Sequence, residues 1–548
     1  MNQTVRHYDS VSSENRALLT VRLSLLALYG VSAAIQLLIL SGTTQELASV
    51  ALVSLGAIGG GIYCLNGRVI STHPVSTILV LSFSFCSMGG ALLVKTLEGA
   101  SVAEGLNQPC ETFLMLALAM GVMIASHFFY CRSILLSNAR AYLSDRVLHP
   151  LGTFRWPTDR ELWVVGLIGL ASVLYIGGER PGGPEFGTGV LGEKLLAPFR
   201  MLKFAPFLIP FAGLFSGDSL RAEKKTPLLT LSAYFVCLVL SSFATNSRSD
   251  FAEVIPTLAV LMLIAIALGH WSRLRIRSSH LLATAVAGVV ALAVLSRLAL
   301  AMVAVREFRT KVSADELIRI TFDAFFNSSW LDSARARIEA SAASSGYSEF
   351  YVENPFLSRL IVTKFHDNVF YYSAMLRDID INSLRQVLVD KLVLVLPEPV
   401  ALALGFSLNK LDYFWSSGDF VFALAQGHGL GGFRMGSMIA ELYAGFGWMF
   451  APLLTSVVIV VFLVHDAFVT RSIKAQVLVS PIILLLIWTA AGTTGAYGFN
   501  GESAVNTLGA ILRVIPQFVL TFLVAGLAAK SLVRFMSGFL GSERPPLN

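Results

Sequence analysis

"SFATNSRSDFAEVI", Ser242 to Ile255, is a short polar stretch between two long apolar runs, Pro227 to Ala244 and Val254 to Trp271. Each run is about as long as a helix needs to cross a hydrocarbon core of about 30 Å. The stretch between them therefore reads as a turn joining two membrane spans. Arg248, flanked by Asp250 and Glu253, is then a charge at a membrane surface, where such a residue points to function.

The rest of the chain agrees. Of 548 residues, 55% are hydrophobic and 14% charged, and the mean hydropathy is +0.69, more apolar than a soluble domain can hide. The net charge of +6 is dispersed over short loops, which argues for topology signals and against a nucleic-acid partner. Five cysteines, Cys64, Cys86, Cys110, Cys131 and Cys237, show no metal-ligand spacing and no disulfide framework. The N-terminal residues lack a signal-peptide pattern, so the first apolar run is expected to remain as a membrane helix.

Ten more runs join the two above. They are Leu19 to Leu40, Leu47 to Leu65, Val75 to Val94, Phe113 to Tyr130, Leu162 to Gly178, Leu195 to Phe215, Leu281 to Val305, Leu442 to Val464, Val477 to Ala490 and Leu508 to Ala529. The fold class expected is an all-α polytopic membrane protein of about 12 transmembrane helices. Threaded alternately from a cytoplasmic N-terminus, the inner loops collect Arg68, Arg132, Arg140, Arg155, Arg160, Arg221, Arg273, Arg471 and Lys474, as cytoplasmic loops do. Both termini are then cytoplasmic, and Arg248 lies on the outer face.

This threading leaves one long outer segment between spans 9 and 10. The expected units are residues 1–305 (spans 1–9), 306–440 (an outer, periplasmic cap), 441–530 (spans 10–12) and 531–548 (a cytoplasmic tail). The cap has helical signals of its own. "SADE", Ser313 to Glu316, reads as a capping box, followed by an apolar stripe of Leu317, Ile318, Phe322, Phe325 and Phe326. The run Leu392 to Phe406 is broken by "PEP" at Pro397 to Pro399, which favours a surface or re-entrant helix over a crossing.

Candidate site residues concentrate on this outer side. Arg297 lies late in the ninth span and Arg306 at its exit; Glu441 opens the tenth. "RLIVTKFHDN" gathers Arg359, Lys364, His366 and Asp367. Its histidine can act as a general base and its cations can hold phosphate; a solvated polar surface is the plainer reading. "GHGLGGFRMGSMIAELYAGFG", Gly427 to Gly447, brings glycines that permit close backbone approach, with no P-loop lysine. With a helix beginning near Phe433, Arg434 and Glu441 share one face about 10 Å apart. A glycine-rich turn with Glu441 as a helix cap is the plainer reading there. No HExxH, GxSxG or CxxC pair occurs, so metalloprotease, serine-hydrolase and zinc-site readings have no support. Arginines at an outer membrane face suit a lipid-linked diphosphate, whose phosphate oxygens they bind in bidentate fashion.

In span count, in the long outer loop before the last three spans, in "SRSD" and in "GLGGFRMGSMIAELYAGFGW", the chain resembles bacterial Wzy-type oligosaccharide repeat-unit polymerases and the related O-antigen ligases. That resemblance implies metal-independent, cofactor-free glycosyl transfer of the GT-C membrane class in the bacterial inner membrane. The donor would be an oligosaccharide on undecaprenyl diphosphate, and the acceptor a sugar hydroxyl of another lipid-linked repeat unit. A chain-length regulator and a flippase are the implied partners. Arg248 corresponds to an arginine opening an outer-facing helix in the group, and His428 to the ligases' outer-loop histidine. Arg248 with Arg434 and Arg359 would stabilise the departing diphosphate, and His366, His428 or Glu441 would take the acceptor proton. The alternatives are a ligase, distinguished by its acceptor, and a flippase or secondary transporter. No internal repeat of the kind common in transporters is visible.

Overall fold

Proline and capping residues set where these helices begin. The computed structural model describes residues 16–178, 196–218, 221, 228–247, 249–270, 292–308, 311–345, 347–354, 356–396, 398–413, 415–432, 434–471, 476–491 and 503–539. Before the long loop segment come α1 (Arg16–Leu40), α2 (Thr44–Cys64), α3 (Pro74–Leu97), α4 (Pro109–Arg132), α5 (Asp159–Gly178), α6 (Ala197–Phe215), α7 (Leu228–Thr245), α8 (Val254–Ala267) and α9 (Leu292–Ala304). The loop segment carries α10 (Ala314–Phe326), α11 (Ser328–Ser345), α12 (Thr363–Ser373), α13 (Asp378–Leu394) and α14 (Ser417–Gln426). The chain continues as α15 (Met438–Asp466), an antiparallel hairpin of β1 (Val469–Arg471) and β2 (Val477–Val479), α16 (Pro481–Ala491) and α17 (Ala504–Ser537). Pro74 and Pro109 occupy the first turns of α3 and α4, where the missing N–H costs nothing. Thr43 and Glu46 cap α2 reciprocally.

Among the described residues, 8 helices are long and apolar enough to cross a membrane: α1 to α4, α6, α7, α15 and α17. The protein is an all-α membrane protein. The other expected spans, as far as they are described, fall below this length or apolarity. α8 and α9 are short apolar helices, and α5 starts on Asp159, Arg160 and Glu161. The ninth expected span is described only from Leu292. The eleventh needs correction: Val477 to Val479 pairs as β2, with Val469 opposite Val479, and the helix begins only at Pro481. The sixth is a 3-10 helix from Ala197 to Leu208, with Pro206 inside it, before it becomes α-helical.

Burial places α3 at the centre and α1 at the rim: 72% of the apolar window of α3 is enclosed, against 22% for α1. Leu23, Leu28, Val31 and Leu38 of α1 are exposed, as lipid-facing residues are. Glycines let helices close. A Cβ on Gly60 would meet Ser84 Oγ at 2.2 Å, and one on Gly169 of α5 would meet the Lys203 backbone nitrogen of α6 at 2.1 Å.

Two expectations about the loop segment meet different outcomes. α10 does begin after Ser313, but Ser313 makes no capping bond, so the reciprocal box is not formed. The proline break holds: α13 stops at Leu394 and a separate helix spans Glu398–Ala403. α12 does not simply lie over the bundle. It reaches the middle of α3, where the helix loosens into a π-turn over Phe85–Gly89. A π-turn breaks the regular backbone ladder. Here Val362 N–H donates to Cys86 O at 2.9 Å and Thr363 Oγ1 to Ser87 O at 2.9 Å.

Candidate functional site

The site is built where α12, the start of α14 and the start of α15 meet α3. His366 of α12 is 1% exposed. Its Nδ1 lies 2.7 Å from Ser437 Oγ and its Nε2 lies 3.1 Å from Ser87 Oγ. Ser437 caps α15, its oxygen accepting from Ala440 N–H at 3.1 Å, so its hydroxyl proton is left for His366 Nδ1. The ring is then the Nε2–H tautomer, donating to Ser87. Burial pushes the His366 pKa down to about 3, so the imidazole is held neutral.

One turn into α15, Glu441 is 1% exposed and its Oε1 accepts from Ser417 Oγ at 3.0 Å. Ser417 opens α14, whose cap is Ser416 and whose Asp419 is fully buried. Asp419 pairs with Arg434 Nη1 at 3.0 Å and accepts from Arg434 N–H at 3.3 Å. The Arg434 guanidinium lies 3.9 Å over the Phe422 ring and 5.2 Å from that of Tyr347. Burial raises the Tyr347 hydroxyl above its ordinary range, keeping it protonated beside the cation. Close approach of Gly418 to the Met435 carbonyl and of Gly436 to Ser417 Oγ permits this meeting, since a Cβ at either position would stand 2.2 Å or 2.0 Å from the neighbouring atom.

The expected shared helical face is therefore corrected. α15 begins at Met438 after its Ser437 cap, so Arg434 sits on the extended approach to the helix. Arg434 and Glu441 still converge, because both engage the first turn of α14. The cation remains part-exposed at the side chain (15%), and its Nε and Nη2 are not used in the Asp419 contact.

Lys364 and Asp367 form a buried ion pair at 2.9 Å. Asp367 also accepts from Asn107 N–H (2.8 Å), Gln108 N–H (2.9 Å) and Thr112 Oγ1 (3.2 Å), fixing α12 to the start of α4. Lys364 is thus engaged as a structural cation. His428 stacks on Phe422, centroids 5.4 Å apart, which makes it part of the same aromatic cradle as Arg434. Arg297 donates to Phe325 O and Ser328 Oγ, and Arg306 is exposed in a 3-10 turn, Arg306–Phe308. The structure brings neither into the cluster. Arg248 lies outside the described residues, as does the side chain of Arg359, whose backbone closes the turn Leu357–Arg359. Just before Arg248, Asn246 turns the chain with φ of +46°, a left-handed conformation that asparagine tolerates.

Ser87, Ser417, Ser437 and Asp419 are site residues that the sequence reading does not single out. "SSGD", Ser416 to Asp419, has the serine-to-acid spacing of a helix start before an apolar run, and that signal could find Asp419. Among the described residues no three His, Cys, Asp or Glu side chains converge as a metal set. Comparison with known protein families, with characterised proteins and with solved structures finds no match to the chain.

Proposed function

We propose that the protein is a membrane glycosyltransferase that polymerises lipid-linked oligosaccharide repeat units, with about 12 spans of GT-C type and the loop segment on the periplasmic side of a bacterial inner membrane. The observation that carries this reading is the meeting of Arg434 and Glu441 at the first turn of α14, braced against α3 by His366. A part-exposed arginine suits a lipid-linked diphosphate, and a carboxylate suits a sugar hydroxyl. In the reaction, the acceptor hydroxyl gives its proton to Glu441 and its oxygen bonds to the donor's anomeric carbon. The bond from that carbon to the diphosphate oxygen breaks, its electron pair leaving with the phosphate. Arg434, joined by Arg248, steadies the charge that builds there. His366, with both nitrogens engaged and its pKa far below neutrality, serves better as a brace for Ser437 than as the base.

The test is deletion of the gene, with wild-type, Arg434→Ala, Glu441→Gln and Arg248→Ala copies returned at matched expression and the surface and lipid-linked glycans resolved by gel and mass. Polymerase function predicts that long chains vanish in the deletion while single lipid-linked units persist outside, and that Glu441→Gln lowers polymer by at least about 100-fold, the scale of a lost general base. Long lipid-linked chains that fail to reach a lipid A core would identify a ligase. Units trapped on the cytoplasmic side would identify a flippase and end the catalytic reading of Glu441.

A further inference from the structure

At the end of the bundle away from the loop segment, four helices close on a second polar group. Tyr63 ends α2, Ser76 opens α3, His127 and Tyr130 lie late in α4, and Asp466 ends α15. Ser76, His127 and Asp466 are fully buried and Tyr130 is 2% exposed, while Tyr63 is half-buried. An unbroken hydrogen-bond path joins them. Tyr63 Oη lies 2.8 Å from His127 Nδ1, and His127 Nε2 lies 2.9 Å from Ser76 Oγ. Ser76 Oγ donates to Asp466 Oδ2 at 2.6 Å, Ser76 N–H to Oδ1 at 3.0 Å, and Tyr130 Oη to Oδ2 at 3.2 Å.

The direction of this chain follows from its end. Ser76 gives its only hydroxyl proton to the carboxylate, so it accepts from His127 Nε2–H; Nδ1 then accepts from Tyr63. Every donor points toward Asp466, and among the described residues no Lys or Arg forms an ion pair with it. We propose that this chain is a proton-relay site, taking up one proton at Tyr63 and delivering one to Asp466. As a proton arrives at Tyr63 Oη, that oxygen gives its own hydroxyl proton to His127 Nδ1, Nε2 gives its proton to Ser76 Oγ, and Ser76 gives its proton to the Asp466 carboxylate. Tyr63 and Ser76 end as hydroxyls, His127 ends neutral with its proton on Nδ1, and Asp466 ends as the acid, donating to Ser76 Oγ. Ionisable chains inside membrane spans commonly have this role.

The other groups facing the chain belong to it or flank it. His73 packs edge-on to Tyr130 at 5.5 Å and to His127 at 6.3 Å. Cys131 Sγ lies 3.6 Å from His127 Nδ1, and Cys64 and Arg132 act on Tyr63. Arg140 and Arg471 act on His73, and His465 on α15 bonds its own helix at Val461 O. The site is independent of the proposed reaction, which lies at the other end of the bundle.

The test is imidazole NMR of the full chain, histidine-labelled with 15N, in lipid nanodiscs, with the His127 signal assigned by its loss in His127→Gln. The expected result is a switch of His127 from the Nε2–H to the Nδ1–H tautomer as the pH is lowered from alkaline to acid. That switch is lost in Asp466→Asn and in Ser76→Ala, with folding of each variant checked by thermal unfolding. A His127 tautomer that stays fixed over this range in the folded wild type overturns the relay, and so does a switch that survives in Asp466→Asn. If a variant fails to fold, the wild-type titration alone decides.

Discussion

Asp367 holds four groups at once: the Lys364 ammonium, two backbone N–H groups before α4 and the Thr112 hydroxyl. Removing Asp367 strands a buried cation and three donors together, whereas removing Lys364 leaves a carboxylate still well supplied. Asp367→Ala should therefore cost about 3–5 kcal/mol of stability, and Lys364→Met clearly less, as read by chemical unfolding in detergent. Equal losses would mean that the pair, and not the capping of α4, is what matters. His366 gives a pH signature. The folded chain holds it neutral down to about 3, against 6.5 for an ordinary imidazole, so the unfolded chain binds the extra proton between those values. Its stabilising share is whole above about 6.5 and is lost as pH falls toward 3. The unfolding temperature of the wild type should drop across that window, and His366→Gln should flatten the drop; an unchanged slope would remove His366 from the account. At this scale, Glu441, Arg434, His366 and Lys364 are legible as charge beside apolar runs. Ser87, Ser417 and Ser437 are not, because a serine carries no mark of the partner that tertiary contact will bring from a distant part of the chain.

α5 and α6 approach more closely than side chains allow elsewhere, with Gly169 against the backbone of Leu202 and Lys203. Backbone cannot move aside as a flexible side chain can, so Gly169→Ala should lower stability by at least about 1–3 kcal/mol. Gly59→Ala, with nothing within 4 Å of the new methyl group, is the neutral control; equal thermal stability of the two variants would refute the close packing. Long apolar helices with prolines at their first turns, such as α3 and α4, are legible in the sequence because hydropathy and helix-start chemistry agree there. α6 is not, since its 3-10 winding around Pro206 and its buried Lys203 arise from docking on α5. The start of α16 escapes the sequence for a related reason: Val477 to Val479 is apolar enough for a span, and only pairing with Val469 to Arg471 makes it a strand.

The molecule has two polar ends. His366, Glu441 and Arg434 gather at one, and the Asp466 chain at the other, where Arg68, Arg132 and Arg140 on short or terminal helical turns and Arg471 at the end of β1 also lie. If that basic end is cytoplasmic, a cysteine-free chain carrying Ser333→Cys on α11 should react with an impermeant maleimide in spheroplasts. One carrying Ser137→Cys, on the short helix after α4, should react only after permeabilisation; the reverse pattern would invert the orientation. α3 serves both clusters, offering Ser76 in its first turn to one and Ser87, within the π-turn Phe85–Gly89 at mid-helix, to the other. Such a turn holds one residue more than the regular helix would, and a single α-helical residue is worth about 100° of rotation. The extra residue thus acts as a phase setting: shortening this helix by one in the π-turn would swing Ser76 and Ser87 out of register with each other, so that His127 and Asp466 on one side and His366 on the other could not both be met. Length, more than residue type, is what keeps the two ends of the molecule in step.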